Sequence, residues 1–179
     1  MVTQLDAEKI KYSRALEDFK TQYEKFKNEN VRKTSPVNFE VTTVEPVEVY
    51  IALSQYIHSA AVLIETGIDV TRISGENRSF ISAIRYVDNL LKHGKEEIGI
   101  EELLSSTPKM SGKVKRILHG KAVTADMFVV SFWKDIPSRI TIAPENMKQK
   151  NNYDLKIKGK EVIETVNTLD AIIKRYISF

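Results

Sequence analysis

The most constraining feature of this chain lies near its start. Tyr12, Leu16, Phe19, Tyr23 and Phe26 follow one another at alternating steps of four and three residues, and Leu5 extends the series across a gap at Lys9. A stripe at that period needs a helix, because only a helix brings such positions onto one side. The spacing predicts a helix over Leu5–Asn30 with its charged residues on the other faces. Two settings suit it: a long helix laid on the rest of the domain, or an arm that pairs with another chain.

The next stretch, KTSPVNFEVTTVEP, carries two prolines among β-branched residues and reads as a connector with a short strand over Phe39–Thr43. Pro46 is placed to open a second helix, where its missing N–H costs nothing. Val49, Leu53, Tyr56, Ile57, Ala60, Ala61 and Ile64 form the apolar stripe of that helix, and Gly67 follows as a C-cap. A turn at Gly75 leads into a third helix over Glu76–His93. Phe80, Ile84, Val87 and Leu91 make its apolar side. Arg78, Arg85, Asn89, Lys92 and His93 fall opposite, and Gly94 supplies a left-handed stop.

Beyond this point the period changes. GIEELLSSTPKMSG reads as a short helix ending in a loop, and Lys113–Leu118 as a strand. Val123–Trp133 is the strongest strand signal, apolar on both alternating sets and therefore buried on both faces. Asp135–Ser138 is a turn, Arg139–Ala143 alternates like a strand, APENMKQKNN is a polar loop, and Tyr153–Lys158 alternates again. Val162, Ile163, Val166, Leu169, Ile172, Ile173 and Tyr176 mark a closing helix over Lys160–Ile177. The expected class is α+β: antiparallel helices over residues 1–95, then a small antiparallel sheet closed by a C-terminal helix over 96–179, in one domain.

Composition narrows the function. Lys plus Arg number 27 against 24 acids, a net charge of +3 that is too small to imply nucleic-acid binding by itself. The absence of cysteine removes disulfides, thiolate metal sites and cysteine nucleophiles, and suits a reducing cytoplasm. The charged N-terminus lacks an apolar signal segment, and no apolar run approaches the roughly 20 residues a membrane span needs. A cytoplasmic protein without a membrane partner is expected.

Familiar catalytic patterns are missing. There is no Gly-rich phosphate loop and no G-x-S-x-G turn, and His58, His93 and His119 lie far apart with no helical histidine pair for zinc. No metal and no cofactor is expected. His58, in YIHSAAV, reads as a core or edge histidine, and His119 as a turn residue. Trp133 reads as the anchor of the sheet, with base stacking as the alternative. Lys109, Lys113, Lys115, Arg116 and Lys121 form a charged edge without interleaved aromatics.

One segment goes further. Asp88-Asn89-Leu90-Leu91-Lys92-His93 resembles the Arg-polar-x-x-x-His signature of the HEPN superfamily, small helical proteins of toxin–antitoxin, abortive-infection and RNA-cleaving systems. The resemblance covers Leu5–Gly94 and includes the helical order, with the motif near the end of the third helix. It implies that His93 acts as acid or base on a ribose 2′-hydroxyl and that Asn89 is the polar residue one turn before it. The arginine that would steady the phosphate is replaced here by Asp88. Arg85, one turn earlier, is the substitute the resemblance leaves, with Lys92 and Arg78 as further nucleic-acid contacts. A metal-independent ribonuclease or a non-catalytic relative follows, working as a homodimer whose paired Arg85 and His93 share one phosphate site. The alternative is a non-enzymatic, phage-encoded interaction or inhibitor protein that uses the Tyr12–Leu16–Phe19–Tyr23 seam to hold a protein partner. A third reading, a small-ligand pocket between helices and sheet, has no motif behind it.

Overall fold

The computed structural model describes residues 2–29, 31–33, 39–41, 47–93, 98–111 and 126–179. The first helix, α1 (Gln4–Glu29), starts in a reciprocal cap. The Asp6 N–H donates to Thr3 Oγ1, and both the N–H and the hydroxyl of Thr3 donate to Asp6 Oδ2, at 2.7–3.1 Å. The same bonds hold the Asp6 carboxyl below its usual pKa. A short antiparallel pair follows, β1 (Val31–Lys33), which was not expected, and β2 (Phe39–Val41), which falls within the expected short strand.

The core helix α2 (Val47–Gly67) runs antiparallel to α1. Tyr12 and Phe19 both meet the Tyr56 ring, at 5.6 and 6.1 Å, while Leu5 lies against Gly67 at the other end. The seam of α1 is thereby spent inside the protein: Tyr12, Phe19 and Tyr23 are no more than 1% exposed. Of the two settings for this helix, the fold contains the first. With 21 residues, α2 is also long and apolar enough to cross a membrane, contrary to the expectation that no run reaches that length. Half of that window is buried inside this fold, because Val49, Leu53, Tyr56, Ile57, Leu63 and Ile64 face other helices.

Gly67 is not a left-handed cap. A Cβ there would fall 2.7 Å from Leu5 Cδ1 and 2.9 Å from Ile177 Cδ1, so the position permits close approach of α1 and the C-terminal helix. After a turn at Val70–Arg72, α3 (Gly75–His93) packs back antiparallel on α2 with Phe80, Ile84 and Val87 buried. Gly94 lies outside the described residues.

The second half departs from expectation in four places. A single 3-10 turn, Ile100–Leu103, is followed not by a loop but by β3 (Leu104–Ser111), antiparallel to β4 (Asp126–Trp133) in register Leu104↔Trp133 to Ser111↔Asp126. β3 is rich in Ser, Thr and Pro and shows no apolar alternation; its partner supplies the apolar surface, and Ser106 and Ser131 hydroxyls meet at 2.9 Å. The expected strand Arg139–Ala143 is irregular chain leaving a turn that the Ile140 N–H closes on the Pro137 carbonyl, with Ile140 only packed on the core's edge. The expected loop APENMKQKNN opens instead with a 3-10 turn at Pro144–Asn146 and then α4 (Met147–Lys156), and this helix takes in the start of the expected strand Tyr153–Lys158. Tyr153 and Ile157 are fully buried four residues apart while Leu155 between them is 75% exposed, which is a helical period. The expected strand Lys113–Leu118, with Val123–Ala125, lies outside the described residues.

The last helix, α5 (Val162–Tyr176), runs alongside α2 and closes the core. Tyr56 donates to the Val166 carbonyl and Tyr12 donates to Asp170 Oδ1 at 2.8 Å. Trp133 is buried, donates from Nε1 to Thr165 Oγ1 at 3.1 Å and meets Tyr153 edge-on, so it anchors the sheet to α5 as expected. The edge of β4 facing away from β3 is not left bare. The Ser131 N–H donates to the Tyr23 hydroxyl, and the Trp133 N–H donates to the Lys160 carbonyl. Gly159, at φ +77°, makes the turn that brings that carbonyl in, returning its own N–H to Trp133. The architecture is α+β, with five α-helices and two two-stranded antiparallel sheets among the described residues.

Candidate functional site

The polar edge where α2 meets α3 gathers most of the chemistry that the described residues offer. Antiparallel packing puts His58 against Asp88 and, two turns along, Glu65 against Arg85. Asp88 is the centre. Only 4% exposed, it uses both oxygens: Oδ1 lies 3.3 Å from His58 Nδ1, and Oδ2 accepts from Lys92 Nζ at 2.6 Å. An ionised carboxylate can only accept, so His58 Nδ1 is the donor in this arrangement. His58 and Lys92 remain partly exposed at 51% and 34%. The result is a buried anion under a cap of two donors, one from each helix.

Arg85 is engaged rather than free, donating from Nη2 to Glu65 Oε1 at 2.6 Å on an open surface. Asn89 is exposed one turn on. Arg78 stands apart from this group. Its Nη2 donates to the carbonyls of Thr71 and Ile73, tying down the turn before α3, and it sits about 15 Å from Asp88 along the helix axis. His93 is the last residue of α3, and its side chain lies outside the described residues, as do His119, Lys113, Lys115, Arg116 and Lys121. Of the residues singled out from the sequence, the fold thus brings Arg85, Asn89 and Lys92 onto consecutive turns.

His58, read from the sequence as a core or edge histidine, lies at the edge, and its partner is what the sequence did not reveal. Thirty positions separate it from Asp88, and no local pattern links the two; only the pairing of α2 with α3 does. Asp88 itself was legible as a departure from the arginine of the motif, but not as a buried carboxylate, because the apolar stripe drawn through Phe80, Ile84, Val87 and Leu91 leaves it out. Among the described residues there is no cluster of three His, Asp or Glu side chains that would hold a metal ion.

A second polar network lies inside the fold. Asp170 accepts from Tyr12 and, through Oδ2, from Lys174 Nζ at 2.9 Å. Burial, reinforced by the neighbouring phenol and this carboxylate, pushes the Tyr12 hydroxyl pKa far up. Burial raises the Tyr56 and Tyr153 hydroxyls as well. This network joins α1 to α5 across a buried carboxylate, so its role is to hold helices together.

No protein-family model, no curated protein and no solved structure matches this chain.

Proposed function

We propose that this chain is a HEPN-like protein of a defence or toxin–antitoxin type, directed to RNA through the polar face of α3. The observation that carries the reading is the placement of Arg85, Asn89 and Lys92 on consecutive turns beside His58, at the end of the third helix where the motif falls. The helical order α1, α2, α3, each antiparallel to the last, accords with it. Asp88 in place of the motif's arginine weighs against catalysis and less against binding, since Lys92 and His58 cover its charge. Arg85 would have to leave Glu65 to meet a phosphate. Both partners of that pair are substantially exposed, and such pairs contribute about 0–1 kcal/mol, so the exchange costs little. The reading is therefore a protein that holds RNA and does not depend on a complete cleavage motif.

The test is fluorescence anisotropy with single-stranded RNA. Arg85→Ala and Lys92→Ala are each expected to weaken binding several-fold and to reduce the salt dependence by about one phosphate contact. Binding by the natural chain that is absent at low salt, or that neither substitution alters, would remove this reading. A homodimer belongs to the same proposal and is checked by light scattering. The interaction-protein alternative expects the α1 seam to be exposed or paired with another chain; within this chain the seam is buried, and a pull-down that returns no partner would complete the case against it.

A further inference from the structure

We draw no further inference here: the strongest candidate, the apolar groove of about 790 Å3 between the first turns of α2 (Val47, Tyr50, Ile51) and the Ile98–Glu101 segment beside Leu91, carries nothing because no feature of the structure shows what covers it.

Discussion

Asp88 shows how one residue can be misread from its neighbours in sequence and explained by its neighbours in space. On a helical wheel it stands on the border between the apolar and the charged side, midway between Ile84 and Lys92, and it is buried and serves two donors. Replacing it with alanine removes the shared acceptor of Lys92 and His58, whose donors stay open to water, at a cost of about 0.5–1.5 kcal/mol. In a chain of this size each kcal/mol corresponds to roughly 2–4 °C in melting temperature. A thermal melt of Asp88→Ala within a degree of the natural protein would show that the clamp contributes nothing. Gly159 is a second position where one residue decides. Its φ of +77° is costly for any side chain, and Gly159→Ala is expected to destabilise by roughly 1–2 kcal/mol in chemical denaturation. Gly159→Asn should cost less, since asparagine tolerates that region.

Elements held by one or two specific contacts make the next set of expectations. The sheet and α5 meet through Trp133, whose indole N–H reaches Thr165. Trp133→Phe keeps most of the aromatic surface and loses that bond, while the Thr165 hydroxyl keeps its own donation to the Glu161 carbonyl, so a loss of about 0.5–1.5 kcal/mol is expected from unfolding curves. α1 depends on the ring contacts of Phe19, which is fully buried against Tyr56 and Tyr23. Phe19→Ala is expected to cost about 3–5 kcal/mol. The same elements explain what could be read in advance. α1, α2, α3 and α5 were legible because each carries a long apolar stripe at helical period. α4 was not, because it buries only Tyr153 along its length and its remaining polar residues show no stripe. β3 was hidden for a related reason: its ladder is a backbone property, and Ser105, Ser106 and Thr107 carry no alternation that would announce it. Of the polar face, the α3 side was visible as residues on one helix, while the α2 side, His58, needed the tertiary pairing.

At the scale of the whole molecule, the core is built around buried phenols, and this gives the fold a definite response to alkali. Burial raises the hydroxyl pKa of Tyr12, Tyr56 and Tyr153 well above the ordinary value of about 10. Above that pH the unfolded chain releases these protons while the folded chain keeps them. The unfolded state then binds fewer protons, so stability falls as pH rises. The contribution is complete below about pH 10 and declines above it, by up to about 1.4 kcal/mol per pH unit for each such tyrosine. Tyrosinate absorbance should therefore rise together with unfolding in strong alkali, and the replacement Tyr12→Phe should flatten the slope. A smooth titration of all tyrosines in a chain that stays folded would contradict the burial described for them. The same whole-molecule view frames function. A net charge of +3 gives only weak long-range attraction, so any RNA contact must come from a local face.

That local face is open to one direct measurement: photochemical cross-linking of the natural chain to single-stranded RNA, with the cross-linked peptides identified by mass spectrometry. These peptides are expected to map to the end of α3, within Arg85–His93, together with the His58 segment of α2. RNA attached only to peptides elsewhere in the chain, or no adduct at all, would contradict that expectation.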